Sequence, residues 1–188
     1  MKFTRTTAAA LAAACLSTAA IADDAFLKFP NSEIIGDSVD KAHKDEIVVT
    51  SYSIGVSADT SWTKGGGAAV GKPQPGEFVF TMAPGRAFPG MFRNIVTGQQ
   101  APNAVLSVNA VAASATRPGA AEYLRYTFTN AFFTNISQAA SGDRGQVEVS
   151  MVYKTLKIEV MKDGKAVSCV TWDIPAGQAN SGCSGPIN

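Results

Sequence analysis

Between Glu122 and Phe132 the chain alternates strictly. Leu124, Tyr126 and Phe128 fall on one side of an extended backbone, and Arg125, Thr127 and Thr129 fall on the other. A period of two collects every second side chain on one face of a strand, so a chain dominated by it must fold into sheets. The same pattern fills Gln146–Val160, where Val147, Val149, Met151 and Tyr153 share a face before the phase changes to Leu156, Ile158 and Val160. A phase flip inside a long strand predicts a bulge or bend where it passes from one sheet to another. Further strands are predicted at Ala25–Phe29, Glu46–Ala58, Glu77–Met82, Ala104–Val111 and Val167–Ile174. Only Phe88–Gln99 departs from period two. There Met91, Phe92, Ile95 and Val96 recur at helical spacing, Pro89 suits a first turn, and Gly98 is placed to stop the helix. One short helix in a β-rich chain predicts a barrel or sandwich with a single plug helix. Loops are predicted at Lys64–Gly76, Ser114–Ala120 and Ala139–Gly145, and the tail after Ile174 is small and polar with no strand pattern.

The first 22 residues are of another kind. Lys2 and Arg5 form a positive head, Ala8–Ile21 is an apolar, alanine-rich stretch, and Ala20-Ile21-Ala22 supplies small residues for cleavage before Asp23. This is the pattern of a secretory leader. The apolar stretch is shorter than the roughly 20 residues a spanning helix needs, so no stable membrane insertion is expected. Cys15 offers a lipid-attachment alternative, but Leu11 sits one place too far upstream of it. Cleavage after Ala22 removes Lys2 and Arg5 and takes the formal charge from +1 to −1. A near-neutral chain lacks the basic face that a nucleic-acid partner requires. A core built from residues 23–188 buries roughly 70% of the unfolded surface, so it does not depend on cross-links. Cys169 and Cys183 nevertheless form an even pair in an exported chain. A bridge between them closes about 15 residues, worth ~3 kcal/mol if unstrained, and is expected as a staple on the C-terminal segment rather than a redox switch.

Several segments come close to chemical motifs. Gly66 to Lys72 comes within one residue of the phosphate-binding pattern G-x-x-x-x-G-K-[ST], but Pro73 stands at the hydroxyl position. Such a loop needs a buried strand before it and a helix after it. Here Asp59–Lys64 is polar, and Pro73-Gln74-Pro75-Gly76 cannot start a helix in register. Ser61-Trp62-Thr63-Lys64 matches the S-x-x-K of serine β-lactamases, without the accompanying S-D-N and K-T-G motifs. A hydrolase built on Ser61 and Lys64 is therefore a distant third class of function. His43, the sole histidine, could pair with Asp45 or Glu46 as acid and base, but no nucleophile lies nearby. A turn histidine bonded to backbone or to a neighbouring subunit is the expectation. One histidine and no CxxC pair leave no Cys/His zinc site, and no cofactor is expected. Asn135-Ile136-Ser137 is a glycosylation sequon inside an expected strand and is taken as chance.

The stretch Asp40–Ser57, DKAHKDEIVVTSYSIGVS, resembles the opening signature of haemolysin-coregulated proteins (Hcp), the tube subunits of type VI secretion systems. Lys41, His43, Lys44, Glu46, Ile47, Ser51, Tyr52, Ser53, Gly55 and Ser57 carry the resemblance. A glycine run follows (Gly65-Gly66-Gly67, Gly71-Lys72), then Phe78-Val79-Phe80-Thr81, a short helix ending at Gly98, and Ala104–Val108. Tyr123–Thr127, Ser141-Gly142-Asp143-Arg144 and Trp172-Asp173 complete the order. The resemblance implies a mainly β fold, a two-sheet β-barrel with one short α-helix, whose copies close into six-membered, non-enzymatic rings. Partners implied are further copies of the chain, secreted effector proteins and other secretion-system components. It divides the chain into a leader (1–22), a barrel domain (23–174) and a tail (175–188). A ring needs heterologous contacts repeated about an axis. Gly65, Gly66, Gly67, Gly71, Lys72 and Pro73 are the expected contact loop, since glycines allow close backbone approach and prolines limit what docking must fix. Subunits of that family carry no leader, whereas this chain has one and a cysteine-bearing tail. The second expectation is therefore a stand-alone Hcp-like binding module, exported to the periplasm or medium.

Overall fold

A computed structural model describes residues 23–63, 66–110, 121–141 and 144–183. The expected leader, Gly65 and the Ser114–Ala120 loop lie outside the described residues. In chain order the elements are β1 (Asp24–Lys28), β2 (Ile47–Ser53), β3 (Val56–Ser57), β4 (Thr60–Thr63), β5 (Gly66–Val70), β6 (Gln74–Pro75), β7 (Phe78–Met82), α1 (Ala87–Thr97), β8 (Ala101–Ala110), β9 (Ala121–Ser141), β10 (Arg144–Val152), β11 (Thr155–Lys162), β12 (Lys165–Asp173) and β13 (Gln178–Ser181).

Six of these strands close into an antiparallel barrel in the order β10-β7-β2-β1-β8-β9, with β9 returning to β10. The alternation read from the sequence sets which side chains point inward. Strand β7 buries Phe78, Phe80 and Met82, and β10 buries Val147, Val149 and Met151. Leu27, Leu106, Val108 and Phe128 fill the space between them. The Phe78 and Phe128 ring centroids are 4.6 Å apart, and Tyr153 meets Phe128 edge-on at 5.0 Å.

The predicted bend in Gln146–Val160 is where the architecture divides. The run is two strands, not one, separated at Tyr153–Lys154. Both lie along the same edge of β9, with Val152 opposite Phe132 and Thr155 opposite Thr129. Their other neighbours differ. β10 pairs with β7 inside the barrel, while β11 pairs with β12 and begins a three-stranded extension, β11-β12-β13. Strand β9 turns at the same level through Asn130, whose φ of 50° is tolerated by asparagine far better than by a β-branched residue.

Two sequence expectations are corrected here. Within the expected loop Ala139–Gly145, residues 139–141 and 144–145 are strand, because the β9–β10 ladder runs on to Ser141 opposite Arg144, while 142–143 lie outside the described residues. The tail does contain a strand. β13 pairs with β12, Trp172 opposite Ala179 and Val170 opposite Ser181. All four β13 side chains are exposed, so it has no apolar face to betray it in sequence. It is held by the ladder, by a turn in which the Ala176 N–H donates to Asp173 Oδ1 (3.0 Å), and by the Cys169–Cys183 bridge (Cα–Cα 5.1 Å).

The helix covers Ala87–Thr97 and stops as expected. Gly98 takes φ 63°, and the Gln99 N–H reaches back to the Asn94 carbonyl at 2.9 Å. Its apolar stripe splits. Met91 is fully buried and Ile95 packs on the core, whereas Phe92 and Val96 face solvent.

The segment between β1 and β2 is pinned at both ends. Gly36 N–H donates to the Asp45 carbonyl (2.8 Å) and Ser38 N–H to that of Glu46 (3.0 Å). Arg86, just before α1, brackets Asp37 (2.9 Å) and Asp45 (2.8 Å) and also donates to the Gly36 carbonyl. His43 takes side-chain partners through its ring rather than the backbone among the described residues. Its ring stacks flat on Phe26 at 4.2 Å. The Asn109 amide N–H donates to Nε2 (2.7 Å), which leaves the ring proton on Nδ1 for Glu46 (2.8 Å). This residue joins the incoming segment to β1 and β8, a structural task.

Candidate functional site

The expected contact residues fall in an arm that stands off the barrel. Strands β2 and β7 run on past the barrel as an antiparallel ribbon. Val56 pairs with Pro75, Thr60 with Val70 and Thr63 with Gly66. The Gly76 N–H donates to the Gly55 carbonyl (2.8 Å) and the Gly71 N–H to that of Asp59 (2.7 Å). What sequence suggested was a pliable loop is thus largely a β-ribbon, and the predicted strand Glu46–Ala58 is β2 plus its root. Gly66 and Gly67 open β5, while Gly71, Lys72 and Pro73 link β5 to β6. No helix follows Pro73, so the segment lacks the strand-to-helix geometry of a phosphate loop. Ser61 lies on β4, and Lys64 lies outside the described residues.

Every described side chain from Val56 to Thr60 and from Val70 to Glu77 is exposed. At roughly 3.3 Å per residue the ribbon reaches about 30 Å from Ile54 to its tip. A two-stranded ribbon is marginal in water on its own.

At the arm's root lies an apolar cleft of about 470 Å³. One wall is the inner face of the extension, with Tyr126, Leu156 and Trp172 in adjoining rows, and the other is Ile54, Val56 and Pro73. Ala179 of β13 forms the rim. Burial pushes the Tyr126 phenol up from its usual pKa, which keeps it neutral in the cleft. Sequence reasoning assigned the Trp172-Asp173 pair to the end of a strand but gave Trp172 no role. Its alternation with Val170 was the available signal.

The opposite face of the extension is polar. Arg125 pairs with Glu122 (2.8 Å) and stands opposite Glu159 across β9 and β11, while Lys157 bonds Glu159 at 2.8 Å. Positive and negative charges balance there, and among the described residues no group of three His, Cys, Asp or Glu side chains could hold a metal ion. No described helix is long and apolar enough to cross a membrane.

The Cys169–Cys183 bridge is the outermost tie of this region. Reducing it is expected to leave the barrel intact and to speed amide hydrogen exchange in β13 and the facing half of β12 by up to roughly 100-fold, the equivalent of ~3 kcal/mol. Unchanged exchange in β13 would show that the ladder holds without the bridge.

A barrel of six strands, a ribbon arm, one helix and a β-extension can be set beside known proteins. The family profile described as "Type VI secretion system effector, Hcp" matches residues 26–160. This chain belongs to the Hcp family. The solved structure of Hcp1 from Salmonella typhimurium is 28% identical, with a TM-score of 0.68 over 85% of this chain and 99% of that one. A structure described as a type six secretion system protein gives a TM-score of 0.71 at 21% identity, over 85% of this chain and 100% of the other. A type VI secretion system effector from Yersinia pestis gives 0.61 at 22% identity, over 80% and 100%. Among curated protein sequences none matches the chain. In this Hcp chain the arm, the helix and all of the barrel but Asp24 and Ala25 fall inside the matched segment, while β12, β13 and the bridge lie beyond it.

Proposed function

We propose that this Hcp-family protein acts as a non-enzymatic carrier in type VI secretion, through homomeric rings, hexameric as the family resemblance implies. The observation that carries the reading is the arm, a ribbon on a closed barrel whose side chains are exposed from Val56 to Thr60 and from Val70 to Pro75. Rings of like subunits use heterologous contacts, in which one patch meets a different patch on the next copy. The arm and the apolar cleft at its root are different patches of one chain and supply two sides for such a contact. Secreted effectors and other secretion components are the further partners, and export removes residues 1–22.

The arm can be tested cleanly because Gly55 and Gly76 already face each other across the ribbon. Excising Val56–Pro75 and closing the gap with a two-residue Asn-Gly turn should keep the barrel folded. The expected result is a cooperative, monomeric barrel in which ring-sized particles fall at least tenfold. Rings of undiminished abundance would rule out the arm as the assembly element.

A second reading is supported by the bridge. A disulfide persists in an oxidising compartment, and this one joins β12 to the tail beyond the family match. On that reading the chain is an exported, stand-alone Hcp-like module in the periplasm or medium. N-terminal sequencing of protein recovered there should give a start at Asp23, and a start at Met1 would contradict export through the leader.

A further inference from the structure

We propose that Asn109 is an amide switch, which holds the neutral His43 ring by donating an N–H and, when Nε2 takes up a proton, turns over to hold the ring through Oδ1. The two residues lie 66 positions apart and meet at 2.7 Å. The His43 side chain is 14% exposed and Asn109 only 3%, so ring and amide must largely satisfy each other. Nδ1 already faces Glu46 Oε2 at 2.8 Å. This arrangement suits a neutral ring alone. A proton on Nε2 would set two N–H donors head to head, so either the ring leaves or the amide turns. Histidine is the side chain that makes this change of charge between about pH 8 and 5.

The amide can turn without loss. Asn109 Oδ1 is buried and has no hydrogen-bond partner, so a half-turn about the last side-chain bond breaks nothing that Oδ1 makes. The oxygen and the NH2 group are close in size, and the exchange needs no new space. It also gives an orphaned acceptor a charged donor, and a buried acceptor left unpaired is costly. The charged groups around the ring fit both states. In the same turn, Glu46 bonds Nδ1 and Asp40 accepts from the His43 backbone N–H (3.1 Å), with Lys41, Lys44 and Asp45 adjoining. On β1, Lys28 stands 3.8 Å from the other Glu46 oxygen, and Phe26 stacks on the ring. Asp24 of β1 and Glu122 of β9 stand opposite Asn109 on its two sides, Glu122 being engaged by Arg125. Strand β2 opens with the uncharged Ile47 and Val48. The imidazolium thus meets the Glu46 carboxylate at Nδ1 and the Asn109 oxygen at Nε2, and neither ring proton is stranded. Asparagine carries donor and acceptor on one small group, whereas aspartate can only accept and leucine can do neither. The segment from Phe29 to Glu46 therefore stays tied to β1 and β8 while His43 changes charge.

The test follows the isotopically labelled chain 23–188 by NMR from about pH 8 to 5, reading the His43 ring nitrogens and the Asn109 side-chain NH2. Nε2 should gain its proton and the NH2 signals should move in the same step, with the ring still on Phe26. Amide exchange at Gly36 and Ser38, corrected for its intrinsic pH dependence, should change less than roughly threefold. Asn109→Asp should keep Nε2 protonated to a pH at least about one unit above the parent. Asn109→Leu should release the segment on acidification, with exchange at Gly36 and Ser38 at least roughly tenfold faster at the acid end. If that variant does not fold, the parent and Asn109→Asp decide. Protonation of Nε2 with the Asn109 signals unmoved, or with the ring leaving Phe26, would overturn the inference. So would a ring that stays neutral to the acid end, or a folded Asn109→Leu whose exchange responds to pH as the parent's does.

Discussion

Replacing Phe128 with alanine is expected to cost about 4 kcal/mol of folding stability, the range for a large ring removed from a packed core. The residue is wholly buried where the barrel meets the extension. Its strand neighbours are Ala104 of β8 on one side and Leu156 of β11 on the other. Its ring touches Phe78 at 4.6 Å and Tyr153 at 5.0 Å, so the hole opens onto three sides of the core at once. Those neighbours are anchored in different elements of the barrel and the extension and cannot all collapse inward. Denaturant unfolding of the variant should show a lowered midpoint with an unchanged slope. Phe128→Leu should lose less than half as much. A loss below about 1 kcal/mol for Phe128→Ala would mean that the barrel and extension do not share this core.

Gly36→Ala is the second large effect, and it has a different cause. A Cβ at position 36 would sit 2.1 Å from the Glu46 carbonyl oxygen and 2.4 Å from the Ile47 nitrogen. Both are backbone atoms at the start of β2, so no side chain can swing aside. The segment must lift off, and with it go the Gly36–Asp45 and Ser38–Glu46 hydrogen bonds and the Arg86 bracket. Overpacking of this severity costs about 3 kcal/mol or more. Gly182→Ala is the control, since a Cβ there meets nothing within 4 Å. It should fall within ~0.5 kcal/mol of the parent. A stable Gly36→Ala variant would require β1, β2 and the segment between them to pack differently from this structure.

How much of this was legible in the sequence depends on whether an element buries a face. Strand β10 was readable because Val147 and Val149 alternate with Gln146, Glu148 and Ser150, and β7 because Phe78, Phe80 and Met82 recur at every second position. The end of α1 was readable because Gly98 adopts a left-handed backbone that few other residues tolerate. The phase change near Tyr153 marked the bend, but not that β10 and β11 would share β9 and then part to different neighbours. Strand β13 was missed and Val70–Pro75 of the arm was read as a loop because their side chains are exposed on both faces and leave no periodic trace. Their strand character rests on backbone pairing alone. The partner of His43 was hidden for another reason. Asn109 lies 66 residues away, and only the closing of β8 beside β1 brings its amide to the imidazole. The cleft was hidden likewise, because Tyr126, Leu156, Trp172 and Ala179 come from four strands.

Assembly into rings is decided by the native mass of the chain 23–188. The chain should be purified with its disulfide intact and measured at micromolar concentration by native mass spectrometry. The expected result is a dominant species of six subunits, and particles of matching ring shape by negative stain. A single-subunit mass that persists to the highest attainable concentration would contradict it.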